Sequence, residues 1–188
     1  MNQILNKEPT ELFYTERKVF IKKVDTKTDW SFDLGMFSEQ APKYVIVGFQ
    51  NRNNIESQTH DNATFDLLPI SSAVCIIGSQ NYTDKMITCD YDRNNYHEAY
   101  YEMESFFRNH TETNILKPFI SLNLFRSIYN FYIFDITKQK EHIAAQLLGL
   151  EFKISAAIDV SDNIVYPLVL TNELVGHNSD RQRHFDLL

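Results

Sequence analysis

Glycine and proline are both scarce in this chain, with five of each among 188 residues. This excludes collagen-like repeats and low-complexity linkers, and the glycines are too far apart for a Walker A or Rossmann phosphate loop. Long apolar runs are missing too, since no segment approaches the ~18 residues that span a bilayer. The N-terminal stretch MNQILNKEPTEL has no apolar signal-peptide core. The sequence therefore predicts a soluble, unanchored protein that is not secreted by a signal peptide.

Basic runs are also absent. The formal net charge is −7, and no block of Lys and Arg is longer than two residues. Proteins that bind nucleic acid usually carry a basic patch or stripe. Nucleic acid is therefore not an expected partner.

The sequence lacks the familiar motifs of catalysis and metal binding. It has two cysteines, and the apolar run AVCIIG around Cys75 predicts a buried, inert thiol, with Cys89 as a second core thiol. No two of the six histidines are spaced as i, i+2 or i, i+4, whereas cupin-like metal sites place two histidines close together on one strand. We expect no catalytic residue, no metal and no cofactor. A cupin-like metal enzyme stays an alternative that bound metal in the purified protein would revive.

Two acidic clusters, His60-Asp61 and Asp90–Asp92, are of the residue types that perform general acid–base catalysis. Both lie in polar segments or just before a predicted helix. Aspartates in such places usually accept hydrogen bonds from backbone N–H groups. We therefore interpret both clusters as turn and cap residues.

Aromatic residues are abundant, at 13% of the chain, with 14 Phe and 10 Tyr. Large flat side chains at this density favour packing of one sheet on another. The length suits one domain, which we place at residues 11–188, after a flexible N-terminal arm at residues 1–10.

Apolar alternation and short apolar runs predict about eight strands that are not separated by helices. Pro167 inside the most apolar of them suggests an edge position or a bulge. This pattern predicts an all-β fold, an antiparallel eight-stranded jelly-roll sandwich. The predicted strands are Arg17–Val24, Asp29–Phe37, Tyr44–Gln50, Ser72–Tyr82, Phe131–Ile136, Leu150–Ile158, Asn163–Asn178 and Arg183–Leu188.

One segment has helical spacing instead. Tyr96, Tyr100, Met103 and Phe107 fall at i, i+4, i+7 and i+11, on one face of a helix. We predict one inserted helix near Asn94–Arg108. Its tyrosines Tyr96, Tyr100 and Tyr101 would pack the helix onto the sheet and present hydroxyl groups at a subunit interface, where tyrosine is enriched.

The stretch KYVIVGFQNRNN changes abruptly from apolar to polar after Phe49. A buried strand that runs into a surface loop explains this change. We expect Asn51, Arg52 and Asn53 to lie in that loop and to make contacts with a partner, not to catalyse a reaction.

The order of segments resembles one protein family. The segments are PKYVIVGFQNRNN, FDLLPISSAVCIIGSQNY, DYDRNNYHEAYYEMESFF, FYIFDITKQKEHI, LEFKISAAI and YPLVLTNELVGHN. In this order they resemble the C-terminal jelly roll of the double-jelly-roll major capsid proteins of Polinton/Maverick-type elements and adintovirus-like viruses. The resemblance covers roughly residues 30–188.

The resemblance implies a structural protein that packs against copies of itself or a companion jelly roll. In that family three double-jelly-roll chains form a pseudo-hexameric capsomer, so the implied location is a virion or the interior of a host cell. This chain has the length of one jelly roll, which leaves three alternatives: a fragment, a separately expressed half or a domesticated copy. A domesticated jelly roll could instead be a binding module that recognises a protein or glycan through its loops.

Overall fold

The computed structural model describes residues 12–24, 28–37, 42–57, 59, 61, 63–77, 80–90, 93–111, 118–137, 148–156 and 159–175. The strands are β1 Leu12–Val19, β2 Lys22–Lys23, β3 Asp29–Phe37, β4 Pro42–Asn51, β5 Ile70–Ile77, β6 Gln80–Cys89, β7 Phe131–Asp135, β8 Leu148–Ala156 and β9 Asn163–Val175. The helices are α1 Arg52–Ile55, α2 His97–Thr111 and α3 Leu122–Ser127.

The strands form two antiparallel sheets. Sheet A has the order β1-β9-β4-β7, with β2 also paired to β9, and sheet B has the order β3-β8-β5-β6. β1 and β2 lie one after the other along β9, so they are two pieces of one edge strand. Counted that way, each sheet has four strands, in the order of a jelly roll, and consecutive strands change sheet everywhere except between β5 and β6. The predicted fold class is confirmed.

The core lies between the two sheets and is built from alternate residues of each strand. On β4 the side chains of Val45, Val47 and Phe49 are completely buried, as the two-residue period of a strand requires. The ring of Phe49 meets the edge of Trp30, from sheet B, at a centroid distance of 5.6 Å and that of Tyr132, on β7, at 5.8 Å. These aromatic contacts fill the space between the sheets, as the aromatic content predicted.

The expected edge position of Pro167 is wrong, since β9 pairs with β1 and β2 on one side and with β4 on the other. The backbone N–H of Phe20 donates to the carbonyl of Pro167 at 2.8 Å. In an antiparallel pair the N–H and C=O of one residue point toward the same neighbour. The N–H that proline lacks would therefore point to Phe20, in the gap between β1 and β2. The interruption of the edge strand is what makes proline tolerable in an interior strand.

Two predicted strands differ most from the structure. The segment Ser72–Tyr82 is not one strand, because β5 ends at Ile77 and β6 begins at Gln80 and pairs back onto β5. The residues between the two strands, 78–79, lie outside the described residues. The strand predicted at Arg17–Val24 begins five residues earlier, at Leu12, and is interrupted after Val19.

The helix prediction is correct in type but shifted, since α2 begins at His97 and extends to Thr111. The other two helices were not predicted: α1 lies in the segment expected to be a loop, and α3 has only six residues. The arm predicted at residues 1–10 and the strand predicted at residues 183–188 lie outside the described residues.

Candidate contact surfaces

The polar segment after β4 is a hydrogen-bonded turn. Asn51 caps α1, because its side chain accepts a hydrogen bond from the backbone N–H of Asn53 at 2.9 Å. The backbone N–H of Arg52 donates to the carbonyl of Asp162 at 2.8 Å, which ties the turn to the start of β9. The Arg52 guanidinium contacts Glu56 at 3.2 Å, one helical turn further on. Arg52 and Asn53 are exposed and Asn51 is half-buried.

The carboxylate of Asp66 holds this turn in place by hydrogen bonds. Asp66 accepts hydrogen bonds from the backbone N–H of Asn51 and from the side-chain amide of Asn54. Gln50, which is buried, donates to the carbonyl of Thr64 at 2.8 Å. The abrupt polar change after Phe49 therefore reflects a network that joins residues 50–54 to residues 64–66. It holds the exposed side chains of Arg52 and Asn53 on a fixed backbone.

The three predicted tyrosines of the helix segment occupy different environments. Tyr96 is buried, with the guanidinium of Arg126 lying 5.0 Å from the centre of its ring. Tyr100 is half-buried and donates from its hydroxyl to the carbonyl of Ile120 at 2.8 Å. Tyr101 is 68% exposed. Within this chain the ring of Tyr96 and the hydroxyl of Tyr100 thus have structural contacts, and Tyr101 is directed to solvent.

The segment before α3 is attached to α2 by polar and aromatic contacts. The Glu104 carboxylate accepts hydrogen bonds from the backbone N–H groups of Phe119 and Ile120, both at 3.1 Å. The rings of Phe107 and Phe119 stack at 4.7 Å with an angle of 14° between their planes. These contacts keep Phe119 in place although it is 58% exposed.

Tyr101 and Phe119 are both exposed and both connected to α2, Tyr101 as a residue of the helix and Phe119 through its contacts with Glu104 and Phe107. Acidic side chains predominate on this helix: Glu98, Glu102 and Glu104 against Arg108. We call Tyr101, Phe119 and these glutamates the acidic aromatic surface. The sequence predicts Tyr101 as an interface residue. It does not predict Phe119, because Phe119 belongs to no periodic pattern.

A second exposed apolar group lies at the free edge of sheet A. Arg17 pairs with Leu170, Val19 with Leu168 and Lys23 with Ile164, on the face of the sheet that points away from the core. Val19 is 64% exposed and Ile21, which follows at the same two-residue spacing, is 66% exposed. We call Arg17, Val19, Ile21 and Lys23 the basic edge. Its sequence signal is an alternation of basic and apolar residues in a half-exposed strand, but the sequence alone does not show which strand forms an edge.

The outer face of sheet B is polar by contrast. Its side chains include Asp29, Ser31 and Asp33 on β3 and Lys153 on β8. The Lys153 ammonium lies 3.6 Å from Glu151, and the hydroxyl of Ser155 donates to Asp29. The two exposed apolar groups therefore lie away from this face.

Of the residues with possible catalytic chemistry, those that the structure describes have structural surroundings, whereas His60 and Asp92 lie outside the described residues. Cys75 and Cys89 are buried and are not joined by a disulfide, and burial raises the pKa of the Cys75 thiol to about 12. Asp61 and Asp90 accept hydrogen bonds from the backbone N–H groups of Ala63 and Arg93, at 2.9 and 3.1 Å, as turn residues do.

A metal-binding cluster and a membrane-spanning helix are both missing from the described part of the chain. Among those residues, no three His, Cys, Asp or Glu side chains are grouped so that they could hold a metal ion. In the same residues, no helix has both the length and the apolar character needed to cross a membrane.

Comparison with known proteins gives little beyond the fold. No protein-family profile and no curated protein matches the chain. Among solved structures, the chain is similar to the major capsid protein P2 from bacteriophage PM2, with 9% sequence identity and a TM-score of 0.39. The match covers 88% of this chain and 46% of the phage protein, so the chain spans about half the length of that protein. The assignment of the jelly roll rests on the strand order and not on this similarity.

Proposed function

We propose that this chain is a structural, capsid-type building block that associates with further jelly rolls into capsomers. The observation that carries the proposal is the pair of exposed apolar groups, Val19 with Ile21 and Tyr101 with Phe119, on a sandwich whose core is already complete. Exposed apolar clusters usually mark surfaces that a partner covers. The partners are further copies of the chain or a companion jelly-roll domain.

The order of sequence motifs supports a capsid role in particular. By its resemblance to the double-jelly-roll capsid proteins of Polinton/Maverick-type elements, the chain corresponds to one of two jelly rolls, and a trimeric capsomer is the expected assembly. Burial of apolar and aromatic side chains would supply most of the binding energy. The protein would then work without catalysis or cofactor, in a virion or inside a host cell.

The mass of the protein in solution tests this proposal. Size-exclusion chromatography with light scattering, over a range of concentrations, should give multiples of the 22.1 kDa chain mass, and negative-stain images of the largest fraction should show rings or larger assemblies. A monomer at every concentration would contradict self-association.

A second candidate function is a binding module that recognises a protein or glycan through its loops. The observation that favours it is the turn at α1, where a hydrogen-bonded network presents Arg52 and Asn53 to solvent. A fixed polar turn loses little conformational entropy when it binds a ligand. Binding to a glycan array or to captured proteins that the R52A/N53A double variant loses would support this function, and unchanged binding would oppose it.

A further inference from the structure

We propose that the basic edge of one copy binds the acidic aromatic surface of a second copy, head to tail. This inference rests on the proposed function, because it names the two surfaces through which the building blocks would associate. The occupant of each surface is a second copy of this chain.

The two surfaces lie at the two ends of sheet A. The basic edge belongs to β1 and β2, at one end of the sheet. The helix α2 packs against β7, at the other end of that sheet, and against β6. Three strand spacings separate β1 from β7, or about 14 Å at ~4.8 Å each. Among the described residues the two surfaces are therefore separate patches.

Charge makes the surfaces complementary. On the basic edge Arg17 and Lys23 lie on the same face as Val19 and Ile21, whereas Lys18, Lys22 and the acidic Glu16 pair with core-facing residues of β9 and lie on the other face. The acidic aromatic surface carries three glutamates against one arginine. Two copies of the same surface would bring like charges together, whereas the basic edge on the acidic surface brings opposite charges together. Such complementarity favours the mixed contact and opposes the symmetric ones.

The apolar parts match as well. On each surface two exposed apolar side chains lie among the charges: Val19 and Ile21 on one, Tyr101 and Phe119 on the other. Packing an aliphatic pair against an aromatic pair would form a small apolar centre surrounded by ion pairs, which is the usual anatomy of an interface. A head-to-tail contact leaves one surface of each kind free, so it extends into a ring if the rotation closes and into a filament if it does not.

Engineered cysteines test the pairing directly. The Ile21→Cys and Tyr101→Cys variants each add one exposed thiol, while the native Cys75 and Cys89 are buried. Under mild oxidation an equimolar mixture should give a disulfide-linked dimer about tenfold faster than either variant alone, because only the mixture holds both halves of the contact. Lys153→Cys, on the polar face of sheet B, is the matched control and should give no such gain with either partner. Equal dimer formation by Ile21→Cys alone, or no gain in the mixture, would overturn the pairing.

Charge exchange tests the same pairing without cysteines. The R17E/K23E and E98K/E102K variants should each weaken association by about tenfold, and a mixture of the two should recover most of the loss. Lys153→Glu is the control for a charge reversal elsewhere and should leave the mass distribution unchanged. If the wild type associates but the mixture shows no recovery, the surfaces are wrong and the capsid-type proposal survives. If the wild type is a monomer at every concentration, both proposals fail.

Discussion

At the residue scale, Gly48 shows how one position shapes the outer face of sheet A. It pairs with Phe131 on one side and Tyr166 on the other, and the ring of Phe65 lies directly over it. Phe65 also contacts the rings of Phe131 and Tyr166, at centroid distances of 4.6 and 6.4 Å. A Cβ built at Gly48 would collide with Cδ1 of Phe65 and lie 2.6 Å from its Cε1. The glycine therefore makes room for a ring that covers the sheet.

We predict that Gly48→Ala lowers the free energy of unfolding by about 1–3 kcal/mol, the usual cost of overpacking. Urea denaturation measures the change as a lower midpoint at constant slope. In a Phe65→Ala background the same substitution should cost much less, because the clashing ring is gone. Additive effects of the two substitutions would show that the ring of Phe65 is not the cause.

Cys75 gives a prediction about pH. Its pKa is about 12 in the folded chain against a usual value near 9.0, because burial penalises the thiolate. Unfolding at pH above 9 therefore releases a proton, and the free energy of unfolding should fall as pH rises from 9 toward 12. The slope reaches at most about 1.4 kcal/mol per pH unit, and no such loss occurs below about pH 8.

The comparison that isolates this effect is Cys75→Ala against wild type. Between pH 8 and 10 the free energy of unfolding, measured by urea denaturation, should decline less steeply for the variant than for wild type, whatever the variant's stability at pH 8. Burial also raises the pKa values of Tyr44, Tyr100 and Tyr166 above their usual value of 10.0, but these groups are present in both proteins. Parallel curves in this range would mean that Cys75 is not shielded from solvent.

At the element scale, Glu104 joins α2 to the chain segment before α3. The Glu104 carboxylate accepts hydrogen bonds from the backbone N–H groups of both Phe119 and Ile120. Glu104→Ala should therefore release this segment and lower the free energy of unfolding by about 1 kcal/mol. The loss is smaller than for a buried hydrogen bond to a charged group, because the site is exposed to solvent. Hydrogen exchange at the amides of Phe119 and Ile120 should accelerate. Glu98→Ala removes the same charge from the same helix and should leave both amides as protected as in wild type; equal acceleration in the two variants would count against the anchor.

The elements that the sequence predicts well are those with a strong local period. β3 has the predicted bounds Asp29–Phe37, and α2 follows from the helical spacing of its aromatic residues. The errors arise where the structure of a segment depends on residues that are distant in sequence but close in space. Pro167 lies in an interior strand because the gap at Phe20 faces it, and the segment Ser72–Tyr82 contains a reversal of the chain that only the pairing of β6 with β5 shows.

The candidate surfaces show the same limit of prediction, because the sequence does not reveal which segments are neighbours in space. Tyr101 follows from the sequence as an interface residue, although the sequence groups it with the tyrosines that pack the helix onto the sheet and its side chain is 68% exposed. Val19 and Ile21 do not, because a half-exposed strand has the same alternation whether it forms an edge or not. Only the strand order of sheet A shows that these two side chains have no neighbouring strand beyond them among the described residues.

At the scale of the whole molecule, the described residues form a sandwich with a buried core and two surfaces of opposite charge at the two ends of sheet A. Isolated domains have little use for two such surfaces, whereas a building block of a closed assembly needs both. The central claim is therefore self-association through unlike surfaces.

Native mass spectrometry of the wild-type chain tests this claim most directly, because it counts subunits. We predict a trimer or a larger closed ring as a discrete multiple of 22.1 kDa, replaced by the monomer in the R17E/K23E variant. A monomer alone, at concentrations up to the solubility limit, would contradict the account and direct the search toward other partners of the chain.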